Sequence, residues 1–300
     1  MKNTVAMMTA AMMVAGTLAG CGSSNTAPAA TTAAVTEAAS EKETTAAATE
    51  AASEAGDTGS AAASGDIQTP SGKFTVGFDQ EFPPMGFVGD DGQFTGFDLD
   101  LAKEVASRLG LEFVPQPINW DAKDMELDSG NIDCIWNGFT MQGREDAYTW
   151  VGPYMANNQV FVVNADSAIA SKTDLAGKAV EVQKDSSGLA ALQDDADLSA
   201  SFGSLTEVAD YNTALMDLES GACDAVCMDS IVAGYQIKSS GKNMKILDDT
   251  LSAEEYGIGF KKGEDELAKA VHDTLMDMKD DGTVAKISND WFGSDVFTLK

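Results

Sequence analysis

Two charged side chains in this 300-residue sequence are placed for ligand binding. Arg144 is one of two arginines among 19 basic residues, and it follows the apolar run Ile132 to Phe139. In a chain that otherwise uses lysine, an arginine here indicates bidentate binding of a carboxylate, because its planar guanidinium donates two parallel hydrogen bonds. Asp229 ends a second apolar run, Cys223 to Met228, and can accept an ammonium. Together the two residues predict a site for a zwitterion.

Each of these side chains also has a purely structural interpretation. Arg144 could pair at the surface with Glu145 or Asp146, since exposed ion pairs of this kind are common and weak. Asp229 could cap a helix that begins at Ser230, and a capping role is compatible with ligand binding. Both interpretations stay open at the level of the sequence.

The elements that carry these residues alternate between strand and helix patterns. Phe74, Val76 and Phe78 alternate as in a strand, and Asp98 is predicted to cap a helix that ends at Gly110. The same succession continues to residue 279. Such alternation predicts an α/β protein.

A sequence similarity between two segments of the chain predicts two similar lobes. Leu127 to Trp136 and Leu218 to Cys227 share Leu, Ser, Gly and Asp at equal spacing. Each segment is typical of a helix end, a glycine cap and a buried strand, a corner common enough in α/β folds that coincidence stays open. Open α/β sheets bind ligands at the carboxyl ends of their strands. We therefore expect Gly138 and Asp229 to face a common crevice.

The first 70 residues predict export and anchoring. Lys2 precedes an apolar run, Val5 to Leu18, that is too short to span a bilayer, which is typical of a cleaved signal peptide over residues 1–20. The sequence Leu18-Ala-Gly-Cys21 resembles the bacterial lipobox, so Cys21 is the predicted lipidation site, with secretion and an incidental cysteine as the alternative. Residues 21–70, rich in Ala, Thr, Ser and Glu, predict a disordered linker. We expect a lipid-anchored protein on the extracytoplasmic side of the cell membrane.

Charge and cysteine content exclude several classes of function. A formal net charge of -29 repels phosphate backbones, so nucleic acid is not an expected partner. Cys134, Cys223 and Cys227 are predicted to be buried thiols. The spacing of cysteines and the single histidine, His272, suits neither a zinc site nor a nucleophile pair. We therefore expect no metal, no cofactor and no enzyme activity, and we expect a monomer.

Motifs spread over residues 73–293 resemble the family 3 solute-binding proteins of ABC importers, which bind polar amino acids. The resemblance rests on the order of Val76-Gly-Phe-Asp79, Phe82-Pro-Pro84, Gly92-Gln-Phe-Thr-Gly-Phe-Asp98, Ser129-Gly-Asn-Ile-Asp133, Gly138-Phe-Thr140 with Arg144, Pro153-Tyr154, Asp174-Leu-Ala-Gly-Lys178, Asp224-Ala-Val-Cys-Met-Asp229, Tyr256-Gly-Ile-Gly-Phe260, Asp281-Gly-Thr283 and Trp291-Phe-Gly293.

The resemblance implies a type II periplasmic-binding-protein-like fold, in which each of two lobes is a mixed sheet flanked by helices. Residues 71–155 and 256–300 would form the first lobe, and residues 156–255 the second. Two hinge crossovers would fall near Tyr154–Asn158 and Ser252–Tyr256. A free polar amino acid would close the lobes, and a membrane permease would recognise the closed form.

The resemblance also assigns roles to site residues. The α-carboxylate would be held by Arg144, by Thr140 and by the helix N-terminus at Ser186 and Ser187, where the helix dipole favours an anion. The α-ammonium would meet the Asp229 carboxylate and the Gly138 carbonyl.

For the ligand side chain, the resemblance implies a sandwich between Phe82 and Trp120. The sequence departs from the family pattern at Gln142, where the loop to the arginine is one residue short, and at Asp185, which replaces a glycine. With Asp79, the second departure adds negative charge near the predicted side-chain pocket. Such acids favour a cationic or amide side chain.

Two other functions stay open. The fold occasionally hosts an enzyme resembling the cyclohexadienyl dehydratases, and Asp79 or Glu81 could then supply carboxylate catalysis. A ligand-sensing ectodomain is the second alternative.

Overall fold

The computed structural model of the protein describes Thr69 and residues 71–300, all in one unit of the chain. Strands and helices alternate along this range, as the sequence pattern predicts. The strands are β1 (Lys73–Phe78), β2 (Glu81–Phe82), β3 (Gly86–Val88), β4 (Phe94–Thr95), β5 (Glu112–Pro117), β6 (Cys134–Thr140), β7 (Tyr148–Asn164), β8 (Ala179–Gln183), β9 (Ser204–Val208), β10 (Ala225–Asp229) and β11 (Met244–Lys261). The helices are α1 (Phe97–Leu109), α2 (Lys123–Asp128), α3 (Ser187–Asp194), α4 (Ala196–Ser201), α5 (Tyr211–Ser220), α6 (Ser230–Ser240), α7 (Asp265–Asp280) and α8 (Thr283–Phe292).

Eight strands form one mixed sheet in the order β5-β1-β6-β11-β7-β10-β8-β9. At one end, β1 pairs in parallel with β5 and β6, and at the other end β8 pairs in parallel with β9 and β10. The antiparallel strands β7 and β11 lie between these two parallel groups. A small sheet, β2-β3-β4, lies beside the first group.

The two long strands divide the sheet into lobes. Residues 148–155 of β7 pair with residues 256–261 of β11 beside β6, and this half is called the first lobe here. Residues 157–164 pair with residues 244–254 beside β10, in the second lobe. The chain therefore passes between the lobes twice, once in β7 and once in β11, and the two strands are paired with each other at that point.

Local sequence accounts for most of these elements. All seven residues of β6 are buried, as expected of a strand covered on both faces. The apolar face of α1 is buried, and the helix ends at Gly110 in the left-handed conformation, φ 71°. The predicted cap at Asp98 is wrong, because Gly96 is the N-cap and Asp98 is fully buried in the first turn.

The three later cysteines are buried free thiols, as predicted. Between Thr69 and Lys300, where the structure describes the chain, no helix is long and apolar enough to cross a membrane. The predicted signal peptide, Cys21 and nearly all of the linker lie outside the described residues.

Candidate functional site

The site begins where β6 ends, at a glycine that the backbone requires. Gly138 has φ 56°, a left-handed conformation that favours glycine. A Cβ atom there would lie 2.9 Å from Phe82 Cε1 and 3.2 Å from the Tyr256 ring. The Gly138 N–H donates to the buried Asp98 carboxylate at 2.7 Å, which holds the end of the strand in place.

The predicted carboxylate-binding residues meet where the two lobes face each other. Thr140 Oγ1, in the first lobe, donates to Ser187 Oγ at the start of α3 in the second lobe, at 3.2 Å. Arg144 Nη1 donates to the Thr140 carbonyl at 3.2 Å, and Nη2 donates to the Asp185 carbonyl at 3.5 Å. Surface ion pairing does not occupy this arginine among the described residues. Hydroxyl and guanidinium donors thus gather at a helix N-terminus, which suits an anion.

Ser186 has a structural task within this cluster. It is the N-cap of α3, and its Oγ accepts a hydrogen bond from the Leu189 N–H at 3.1 Å. This leaves Ser187, rather than Ser186, with the side chain that contacts the first lobe.

Asp229, the predicted ammonium-binding residue, is buried at the end of β10. It occupies the N-cap position of α6, yet its carboxylate makes no capping hydrogen bond. Instead it accepts from Tyr256 OH at 2.8 Å, from Asn157 Nδ2 at 2.6 Å and from Tyr211 OH at 3.5 Å. Burial, and after it the charge of Glu254, raise the pKa of this carboxyl well above its ordinary value.

Three residues beside Asp229 were not predicted from the sequence: Asn157, Gln159 and Glu254. Glu254 accepts from Asn157 Nδ2 at 2.6 Å, from Gln159 Nε2 at 2.8 Å and from Ser187 Oγ at 3.4 Å. The polar run Asn157-Asn-Gln159 inside an otherwise apolar strand was the signal that could have found Asn157 and Gln159. Through Ser187, this group joins the carboxylate-binding cluster directly.

Asp79 lies at the opposite side of the cleft, buried after β1. Its carboxylate accepts from the Glu81 N–H at 2.9 Å and from Gln183 Nε2, in the second lobe, at 2.6 Å. Burial, as the largest cause, raises its pKa to about 6. Glu81 itself accepts from Asn212 of the second lobe.

The two aromatic residues predicted to sandwich the ligand side chain belong to different packed clusters. Phe82 packs on Tyr211 of the second lobe, with ring centroids 5.9 Å apart. Trp120 packs edge-on against Phe139 in the first lobe, at 5.6 Å. Their joint contact with a ligand stays a prediction.

Ion pairs connect the lobes near this site. Lys123, whose side chain is 2% exposed, pairs with Asp185 of the second lobe and also donates to the Asp185 carbonyl at 3.3 Å. Lys184 of the second lobe pairs with Asp121 of the first at 2.7 Å. Lys123 therefore neutralises one of the acids assigned to the side-chain pocket, which leaves Asp79 as the buried acid there with no basic partner among the described residues.

The described residues contain no group of three or more His, Cys, Asp or Glu side chains that could hold a metal ion. His272 lies on α7 beside Asp273, with 3.2 Å between Nδ1 and Oδ1.

Comparisons with known proteins place this arrangement in context. A family profile described as bacterial extracellular solute-binding proteins, family 3, matches residues 74–294. The L-cystine-binding protein TcyJ of Escherichia coli (strain K12) is 32% identical over 231 residues, which cover 75% of this chain and 84% of that protein. The L-cystine-binding protein TcyA of Bacillus subtilis (strain 168) is 31% identical over 242 residues, covering 78% and 88%.

A solved structure shares the architecture. An ABC uptake transporter substrate-binding protein from Streptococcus pneumoniae with bound histidine superimposes with a TM-score of 0.74 at 33% identity, covering 76% of this chain and 96% of that one. The predicted type II two-lobe fold is thereby confirmed. The resemblance that the motifs indicated is confirmed as well.

Proposed function

This chain belongs to the bacterial extracellular solute-binding proteins of family 3, and from that premise we propose that it binds a free polar L-amino acid between its lobes for an ABC importer. One observation carries the proposal. Arg144, Thr140 and the start of α3 bring donors for a carboxylate next to Asp229, an acceptor for an ammonium. A free α-amino acid carries these two charges on groups that are bonded to the same carbon atom.

The two halves of this site come from different lobes, and this supports closure on the ligand. Thr140 ends β6 and Arg144 follows it in the first lobe, whereas Ser187 and Asp229 belong to the second. A ligand that contacts both lobes stabilises the closed form by its differential affinity for that form. We propose a hinge near residues 155 and 255, where the paired strands β7 and β11 pass from one lobe to the other.

The class of ligand follows from the relatives and from the side-chain pocket. The relatives' names specify L-cystine, and the solved structure holds histidine. In this chain Asp79 is a buried acid, and Gln183 donates an amide hydrogen to it. We propose a polar ligand whose side chain presents a cationic or amide donor to Asp79, with L-cystine, L-histidine and L-arginine as the first compounds to test.

The proposal includes a location and a partner. Cys21 would carry the lipid anchor, and residues 22–70 would tether the binding unit near a membrane permease. The chain would release its amino acid unchanged, as a binding protein and not as an enzyme.

A thermal-shift panel tests the proposal. The purified protein is heated with each of the twenty amino acids, with ornithine and with cystine. A ligand at a hundred times its dissociation constant adds about 2.7 kcal/mol to the free energy of unfolding. A panel without any shift would refute amino-acid binding, and consumption of prephenate or arogenate would favour the enzyme.

A further inference from the structure

Glu254 lies where the two long strands cross between the lobes. It is opposite Asn157 in the register of β11 and β7, and it lines a cavity together with Thr140 and Ser187. We propose that Glu254 is a second acceptor for the ligand's α-ammonium, so that Asp229 and Glu254 together form a two-carboxylate cation site. This inference rests on the proposed function of the cleft.

Shared hydrogen bonding shows how close the two carboxylates are. Asn157 Nδ2 lies 2.6 Å from Asp229 Oδ1 and 2.6 Å from Glu254 Oε1. One amide nitrogen therefore bridges both acids. An ammonium carries three donors and a full positive charge, so it satisfies such a pair better than an amide does.

The charges of this pair are not balanced by the protein. Asp229 is 3% exposed and Glu254 is 5% exposed. Within residues 71–300, neither carboxylate has a lysine, arginine or histidine partner at ion-pair distance. Because buried charges are costly unless they are paired, the site requires a cation or a proton.

Gln159 provides a second and independent observation. This residue is fully buried, and its Nε2 donates to Glu254 at 2.8 Å and to Ser187 at 3.1 Å. Its Oε1 has no hydrogen-bond partner in the described part of the chain. Buried acceptors are rarely left unpaired, so an open acceptor beside two carboxylates indicates that a donor belongs there.

The tyrosine, cysteine and serine side chains that face the pair are neutral. Tyr211 of α5, Tyr256 of β11 and Cys227 of β10 have pKa values raised by burial, and Ser187 of α3 carries no charge. Among the described residues, the Arg144 guanidinium donates to the Thr140 and Asp185 carbonyls and to neither acid of the pair.

A proton therefore balances part of the charge of the pair when no ammonium is bound. The raised pKa of Asp229 agrees with this assignment. When the ligand's ammonium binds, the carboxyl O–H bond breaks and the proton goes to water. Binding then releases up to about one proton, and affinity rises with pH.

Titration calorimetry tests the inference with L-cystine, L-histidine and L-arginine as probes, at several values between about pH 6 and about pH 8. Each titration is run in two buffers of different ionisation enthalpy, which counts the protons released. The variant is Glu254→Gln, and the matched control is Glu255→Gln, since Glu255 is an exposed neighbour on the same strand. We expect Glu254→Gln to weaken binding at least tenfold and to remove proton release at about pH 8, where Asp79, with a pKa of about 6, is already ionised. Glu255→Gln should match the wild type.

Three results would overturn the inference. If both variants bind like the wild type, Glu254 is not an ammonium acceptor, although the proposed function stands. If the wild type binds a probe with no proton release and no pH dependence, the paired site is refuted even if Glu254→Gln fails to fold. If no probe binds the wild type and the full panel is also blank, the proposed function fails, and this inference fails with it.

Discussion

The two arginines of this chain allow a matched test of the carboxylate site. Arg144→Ala removes the guanidinium that contacts the Thr140 and Asp185 carbonyls, and with it the predicted partner of the ligand's α-carboxylate. Loss of one partner of a buried charge pair costs about 2 to 5 kcal/mol of binding free energy. Because Arg144 is half-buried, water can replace part of the lost interaction. We therefore expect about 2 to 3 kcal/mol, or roughly 30- to 160-fold weaker binding.

Arg108→Ala is the control for this measurement. Arg108 lies on α1, where it pairs with Glu104 at 2.9 Å and with Asp281 at 2.7 Å. Its loss lowers the melting temperature slightly and leaves the dissociation constant unchanged. The dissociation constants of the Arg144→Ala and Arg108→Ala variants are measured by titration calorimetry with the amino acid that gives the largest thermal shift. Near wild-type affinity in Arg144→Ala, or equal losses in both variants, would remove Arg144 from the site.

Three further substitutions test the surroundings of the site. Lys123→Met removes the ion pair with the half-exposed Asp185 of the other lobe. Because solvent screens that acid, we expect a loss of about 1 kcal/mol of ligand-binding free energy, measured by titration calorimetry. Burial raises the pKa of Asp98 from 3.8 to about 7, so the folded state holds this proton more tightly than the unfolded state does. The free energy of unfolding therefore falls as the pH rises through this range. Asp98→Asn should flatten that pH dependence when the free energy is measured by urea denaturation. Gly138→Ala adds a Cβ atom at a residue with φ 56° and brings it against the Phe82 ring. We expect the free energy of unfolding to fall by about 1 to 3 kcal/mol in thermal denaturation. An unchanged melting temperature would contradict this expectation.

The helix that begins near Asp98 was predicted correctly, but the N-cap role given to this residue was wrong. An aspartate at the start of an amphipathic helix is typical of an N-cap. Here its carboxylate lies under the site, accepting from the Gly138 N–H and from Tyr154 OH at 2.8 Å. Tyr154 lies on β7, 56 residues further along the chain. No local pattern contains that contact.

The sequence by itself determined most of the helices and strands. Period-2 and period-3.6 patterns indicate which face of each element is buried, which is why the run in β6, the helix α1 and the glycine at position 110 agree with the structure. The strand patterns also led to Asp229, the last residue of β10, and to Arg144, which lies shortly after β6, whereas the role of Thr140 came from the family resemblance; the binding roles of all three residues stay predictions.

Only the tertiary structure decided which polar groups meet. Glu254 contacts Asn157 because β11 and β7 pair in one register, and the two residues are 97 positions apart. Lys123 likewise meets Asp185 of the other lobe across 62 positions. The spacing of apolar residues predicts that a side chain is buried. It does not predict which residues that side chain contacts, because those contacts join distant segments of the chain. The charge balance of the cleft, with its paired carboxylates and the cation Lys123, therefore exists only in the folded chain.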